Sequence, residues 1–401
     1  MSNYTQTVGV VSTTSVYTSY IERQFLAAIY GLISFAGVLG NCAVLLAVVL
    51  SRRPRTVTNV FVVNLAVADL ITCLSMPISI LAALSESREE LLVSRNLCAF
   101  QGFVLIVCIG CSLNNIAAIA VYRALITRRQ NSSRLRALFS RRGLAVMVST
   151  SWLIPFAVGL LPIVSEFGSY EYDFKLSTCT FNPTANGSST FSKIMVALYY
   201  PVQLLTTFAS YAVILYTVRR HRRRITAATE RRVAVVGSAT MKLPPSPNTP
   251  GPSHKPAWQG LSANDRLRVA PAHGPLRQRS RPGSFPAIRP SSRAAVGPPA
   301  QGRRHIHRQI KVNLSLFLVV FFFLLCFTPY SVLMALLRNK SLKVFPFLGA
   351  LVTFNSCVNP VIYAARHPDF KTVIRSILLC RPSQIPMKSS FLQSLLSLRR
   401  Q

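Results

Sequence analysis

Apolar residues gather into seven stretches separated by polar breaks. They run over about 25–50, 57–84, 99–126, 143–164, 194–218, 310–337 and 344–364. Each supplies roughly 20 residues or more, and helix of that length crosses a hydrocarbon core about 30 Å thick. A soluble core accommodates one such helix. Seven in series predict an all-α membrane protein: a seven-transmembrane helix bundle over 25–365, with an N-terminal tail at 1–24 and a C-terminal segment at 366–401.

Charge sets the orientation. The 45 Lys and Arg against 11 Asp and Glu give a formal net charge of +34, a balance that raises nucleic acid as a partner. Position excludes it. With the N-terminus outside, about 37 of the 45 cations fall in cytoplasmic segments, which is the positive-inside asymmetry that fixes topology. The outer side carries acids such as Glu86, Glu89, Glu90, Glu171 and Asp173. The basic runs lack the interleaved aromatics on which single-stranded bases stack; anionic inner-leaflet lipid is their expected partner. The expectation is a multi-pass plasma-membrane protein with an extracellular N-terminus, its first span acting as an uncleaved signal anchor. Asn3 and Asn186 head glycosylation sequons on the outer face.

Between 222 and 306 the chain is dense in Pro, Arg, Ser and Ala, without apolar periodicity, so a disordered third cytoplasmic loop is expected there. Residues 216–224 and 305–311 extend the fifth and sixth helices beyond the membrane. In the final segment Phe370, Val373, Ile374, Ile377 and Leu378 form one stripe with Lys371 and Arg375 opposite, which predicts a short eighth helix lying in the interface plane. Cys380 at its end is a candidate for palmitoylation. Six other cysteines lie within the apolar stretches, where Cys packs as a small hydrophobe. Cys98 and Cys179 are the two placed on the oxidising side, and they are expected to pair.

Ordered markers run through these helices. They are Gly40-Asn41, then Asn64-Leu65-Ala66-Val67-Ala68-Asp69-Leu70, then Cys98 with Arg123 25 residues on. Trp152, Cys326-Phe327-Thr328-Pro329-Tyr330 and Asn359-Pro360-x-x-Tyr363 follow. With these markers the chain resembles the rhodopsin-like (class A) G-protein-coupled receptors over all but its termini and the long loop. The resemblance implies a receptor, not an enzyme, that turns extracellular ligand binding into movement of the sixth helix and activation of a heterotrimeric G protein. Arrestin and receptor kinases are implied partners. Arg223-Arg224-Ile225-Thr226, Arg279-Ser280 and the serines 389, 390, 394 and 397 are candidate phosphorylation sites.

The chemistry of the markers stands beside the resemblance. Asp69 is the only acid within any span. A carboxylate at mid-bilayer costs about 2.5–3.5 kcal/mol on insertion scales, so it needs partners and marks a functional site. Ser112, Asn355, Ser356 and Asn359 are the polar residues available to surround it. In the family this constellation holds a sodium ion, which makes Asp69 the candidate metal ligand, with Ser112 and Asn355 or Ser356; the alternative is a dry polar cluster. No other cofactor is implied. Pro329 and Pro360 each lack a helical N–H and kink their helices, giving hinges. Phe327 stands where the family usually has Trp.

Two departures matter. Arg123 lies in Val121-Tyr122-Arg123-Ala124, where the family places an acid before the Arg. Tyr122 is not an anion at neutral pH, and the cytoplasmic end of the sixth helix offers no acid, with His305, His307, Arg308, Gln309 and Lys311 there instead. The expectation is either raised basal signalling or an atypical, decoy-like receptor that couples weakly. In the fifth helix Tyr211 follows Pro201 by ten residues, whereas the family spacing is eight. Either the helix carries a bulge or one of the two is not the family's residue.

The expected ligand wall is apolar. Leu105 occupies the position where amine receptors carry an acid, with Ile106 and Ile109 beside it. The seventh span has no Lys for retinal, Thr353 standing at that position. Tyr200, Gln203, Phe327, Tyr330 and Thr353 complete the candidate pocket. An apolar or neutral ligand is favoured, and a short peptide comes next. A transporter would show several intramembrane charges and paired repeats; a lone Asp69 argues against one.

Overall fold

The computed structural model describes residues 17, 19–52, 56–86, 90–128, 139–164, 168–173, 176–182, 200–240, 300–337, 343–367 and 370–398. Its helices in chain order are α1 (Tyr20–Leu50), α2 (Val57–Leu84), α3 (Arg95–Thr127), α4 (Arg141–Val164), α5 (Tyr200–Thr240), α6 (Ala300–Leu337) and α7 (Phe345–Arg366). Two short helices follow, α8 (Lys371–Leu378) and α9 (Ser390–Leu398). Among the described residues seven helices are long and apolar enough to span a membrane, the fifth over Pro201–Arg220 and the sixth over Lys311–Leu333. Their lipid-side residues stay uncovered (Leu32, Phe35, Leu74, Val361), as a bilayer-facing surface requires.

The apolar stretches anticipate α2, α3, α4 and α7 to within about a turn, while α1, α5 and α6 run longer; residues 194–199 of the fifth stretch lie outside the described residues. α1 begins at Tyr20 because Arg23 and Glu22 find partners there: Arg23 pairs with Glu86, and Lys343 Nζ donates to Glu22 Oε1 at 2.6 Å. α5 is continuous α-helix to Thr240, and α6 starts at Ala300. Both therefore extend into the 222–306 segment expected to be a disordered loop. Its flank 223–240 is rich in Ala and Arg, strong helix formers that need no core. Residues 241–299 lie outside the described residues. The chain divides into two compact units, one of Met1–Arg222 with Gln301–Gln401, which holds the membrane spans, and one of Arg223–Ala300.

Between α4 and α5 a two-stranded antiparallel hairpin forms, β1 (Ser169–Asp173) with β2 (Thr178–Asn182). Cys179 of β2 is disulfide-bonded to Cys98 at the start of α3, as expected, with Cα atoms 5.1 Å apart. Gly102, one turn along α3, lets the hairpin approach: a Cβ there would sit 2.9 Å from the Tyr170 ring and 3.2 Å from the Thr180 backbone. Tyr170 donates from its hydroxyl to the Gly159 carbonyl at 2.8 Å, tying the hairpin to α4 as well.

The largest core cluster joins the cytoplasmic half of α1 and α2 to α6, α7 and α8 through Val44, Leu65, Phe323, Ile362, Tyr363 and Ile374. The stripe on α8 belongs to that core. Phe370, Val373 and Ile374 are fully buried against the bundle, and Leu378 is exposed. The expected short helix is present, and most of its apolar face covers protein.

Candidate functional site

Asp69 is delivered to the bundle interior by the apolar run that precedes it on α2, and it is buried. Its carboxylate accepts two hydrogen bonds from α7: Ser356 Oγ to Oδ1 at 2.9 Å and Asn359 Nδ2 to Oδ2 at 2.8 Å. Both donors lie within one turn of Pro360, whose missing N–H opens the helix. Asp69 therefore grips α7 at its proline.

Above these bonds lies a small cavity, about 10 Å³ of space for the centre of a water-sized body, room for one such body. Its lining includes Asp69, Ser112, Asn355 and Ser356 together with Ile109, Phe327 and Thr353. Residues expected to form a polar switch and residues expected to form a ligand wall thus share one chamber. Phe327 stacks on Phe323 with ring centroids 4.1 Å apart. The Oδ1 atoms of Asn355 and Asn359 are buried with no hydrogen-bond partner.

The rest of the expected pocket is less concentrated. Leu105 is half-buried and packs with the α1–α2–α7 cluster that contains Tyr30 and Met76. Ile106, Gln203 and Tyr330 are half-buried on α3, α5 and α6, outside the chamber lining. The Tyr200 side chain lies outside the described residues, as do Asn3 and Asn186.

At the cytoplasmic end Arg123 is buried in the bundle. Tyr122 packs edge-on against Phe139 with centroids 4.6 Å apart. Tyr211 packs on Phe317 of α6 at 5.9 Å and lies within electrostatic reach of Arg123. Pro201 is the second residue of α5, where a missing N–H costs nothing, and the helix runs on as α-helix. Tyr363 is buried between His367 and Phe370, each ring centroid 6.0 Å away. Cys380 is exposed just after α8, with a positive φ of 52°.

Several residues quoted from the sequence only as markers connect the helices. Asn41 donates from Nδ2 to the Ser356 carbonyl at 3.0 Å, binding α1 to the same turn of α7. Asn64 donates to Asn115 Oδ1 at 2.8 Å and to Ser151 Oγ at 2.9 Å, and accepts from Trp152 Nε1 at 2.7 Å. That network joins α2, α3 and α4. Its signal was present in the marker residues Asn41, Asn64 and Trp152, and in an Asn on the apolar third span; what it lacked was the partners. On the outer rim Tyr17 is buried and donates to the Lys343 carbonyl. Burial, with Glu22 nearby, pushes its hydroxyl above the ordinary phenol range, so it remains a donor.

A seven-helix membrane bundle with a buried carboxylate bonded to the proline turn of its last span is a receptor architecture. The family described as 7 transmembrane receptor (rhodopsin family) matches residues 40–363, and the chain belongs to it. This is a family of receptors, not enzymes, and the protein is a multi-pass plasma-membrane protein. The chain is 23% identical over 368 residues to the G-protein coupled receptor moody of Drosophila pseudoobscura pseudoobscura, covering 90% of this chain and 53% of that one. It is 32% identical over 202 residues to the zebrafish (Danio rerio) melatonin receptor type 1B-A, covering 50% of this chain and 67% of that one. With the human alpha-1D adrenergic receptor the identity is 25% over 349 residues, 86% of this chain and 54% of that one. The chain spans about half the length of the first curated relatives it matches. In structure it resembles squid rhodopsin, with a TM-score of 0.64 and 18% identity over 90% of this chain and 83% of that one.

Proposed function

We propose that the protein converts binding of an extracellular ligand into activation of a heterotrimeric G protein. The observation that carries this is the bond pair from Ser356 and Asn359 to Asp69 beside Pro360. Release of that grip lets the cytoplasmic half of α7 swing about its proline while α6 turns about Pro329. Arg123, Tyr211 and Tyr363 line the interior that such movement exposes to the G protein. Support comes from membership of the receptor family and from the burial of Arg123 and Tyr363 in the bundle, with Tyr211 half-buried beside them.

The chamber suits a sodium ion. Asp69, Ser112, Ser356 and the unpartnered Asn355 Oδ1 supply hard oxygen donors of the kind such a cation takes, in a space of the right scale. A bound cation there would neutralise the Asp69 carboxylate and favour the closed bundle. Tyr122, in the place of an acid, leaves Arg123 without the usual adjacent carboxylate, which weakens the closed state by about 1 kcal/mol and raises basal signalling. Coupling too weak to detect is the competing reading, and the same Tyr122 motivates it. The ligand is apolar or neutral, since the α3 wall of Leu105, Ile106 and Ile109 carries no acid for an amine. Cys380 is exposed and placed for palmitoylation, while Asn3 and Asn186 are the glycosylation candidates. Of the tail serines Ser390, Ser394 and Ser397 are exposed to a receptor kinase, the step that would recruit arrestin; Ser389 is buried.

The test is nucleotide exchange on a panel of purified G proteins by the full receptor in nanodiscs, first without ligand and then with a lipid and small-molecule library. Exchange above that of Arg123→Ala on at least one G protein supports the reading. Equality with Arg123→Ala across the panel and library would favour the weakly coupled reading.

A further inference from the structure

Beyond α8 the chain turns back onto the first cytoplasmic loop. Arg52 N donates to the Met387 carbonyl at 2.9 Å, Ser389 N to the Leu50 carbonyl at 3.0 Å, and Ser51 Oγ to the Pro386 carbonyl at 2.8 Å. These bonds make a short antiparallel bridge at the cytoplasmic end of α1. The Ser389 hydroxyl accepts from Leu392 N at 3.2 Å, which caps α9 at its start. Helix α9 is thereby held at the depth where a membrane span leaves the bilayer.

At about 100° per residue, α9 carries its leucines and Phe391 on one broad arc. One edge of the arc is covered: Leu392 is buried and Leu396 packs on the same core as Leu50, Ile377 and Ile385. The other edge is bare, with Phe391 57%, Leu395 46% and Leu398 68% exposed. Leu378 and Leu379 at the end of α8 are exposed as well. Gln393 and Ser397 lie on the opposite, polar side.

We infer that α9 is a second interfacial helix, separate from α8, whose Phe391–Leu395–Leu398 face inserts into an inner leaflet containing anionic headgroups. Three observations select lipid over a protein partner. The bridge to Leu50, Ser51 and Arg52 places the helix at the membrane edge. The end of α8 adds two exposed leucines of the same character, Leu378 and Leu379. From 366 to 401 seven Lys and Arg stand against the single acid Asp369, a charge that anionic headgroups complement. This membrane contact is independent of ligand binding and of G-protein coupling. It gives the tail a fixed seat beside the first cytoplasmic loop and holds the segment 381–389 under the bundle.

The test uses the full receptor at one copy per nanodisc, in phosphatidylcholine with or without phosphatidylserine, with acyl chains plain or brominated. Leu395→Trp adds a reporter on the bare face and Gln393→Trp one on the polar side, and the emission of the parent, which has two Trp, is subtracted. Added emission at 395 that is blue-shifted and quenched by bromine, more strongly with phosphatidylserine, and unquenched emission at 393, are expected. Red-shifted, unquenched emission at 395 would mean that the face meets water and overturns the proposal. Blue-shifted emission that bromine leaves intact would mean that protein covers the face, and overturns it equally. Quenching that is identical in both lipids rejects the anionic preference. Loss of quenching in Arg52→Pro with Leu395→Trp, which removes the N–H given to the Met387 carbonyl, at an unchanged melting temperature of the bundle, is the expected sign that the bridge sets the depth.

Discussion

Asn359 Nδ2 donates to Asp69 Oδ2 at 2.8 Å, and this bond crosses from α2 to the residue immediately before the α7 proline. Pro360 has no N–H for the Ser356 carbonyl, which takes Asn41 Nδ2 at 3.0 Å instead, so side-chain bonds hold the hinge where the helix has lost one of its own. The carboxylate adds a second restraint beside that one.

Asn359→Ala should therefore leave Asp69 with one donor and destabilise the closed receptor by about 1–3 kcal/mol, the cost of leaving a buried polar group underbonded. A thermal melt of the purified receptor should show a lower Tm, and ligand-free nucleotide exchange should rise. An unchanged Tm together with unchanged exchange would show that the bond does not restrain the hinge.

Sodium titration isolates the chamber's ionic role. In wild type, agonist-stimulated exchange should require more ligand as sodium is raised at constant ionic strength; Asp69→Asn should abolish the dependence. A flat titration in both proteins would make the chamber a dry polar cluster.

Tyr122→Asp restores an acid beside Arg123 and should lower ligand-free signalling at matched surface expression. The restored ion pair is expected to favour the closed state by about 1 kcal/mol, roughly a fivefold change in basal activity. Basal exchange that stays the same would remove Tyr122 from the account.

Helix α1 meets α7 through Gly40. A Cβ at that position would lie 2.8 Å from Pro360 Cβ and 3.0 Å from its Cγ, atoms in a ring that cannot rotate away. Gly40→Val is expected to cost about 1–3 kcal/mol as overpacking and to lower Tm. Gly31→Ala is the control, since its Cβ would meet Ile80 Cδ1 at an ordinary 3.8 Å.

Cutting the Cys98–Cys179 bond releases the hairpin from α3 and opens a loop of 81 residues. Cys98→Ser should destabilise the receptor by about 2–5 kcal/mol and deplete it from the cell surface. Surface labelling against total receptor measures the loss.

Much of this was legible in one dimension. Apolar run length gave the seven spans, because an unsatisfied backbone in lipid is too costly for any other local solution. Cation placement gave the orientation, and the oxidising side singled out Cys98 and Cys179. A lone acid in hydrocarbon announced Asp69 as a site. Which partners Asp69 takes was open in the sequence: Ser112, Asn355, Ser356 and Asn359 were equal candidates. The tertiary structure decides for Ser356 and Asn359 as donors and leaves Ser112 and Asn355 on the chamber wall. That choice depends on the rotation of α7 about its axis and its distance from α2, which packing of facing side chains sets and periodicity does not encode. The same holds for the tail. Its leucines were visible, but only the folded chain brings residues 386–389 beside 50–52, because such a pairing is between segments more than 330 residues apart and no local propensity specifies it.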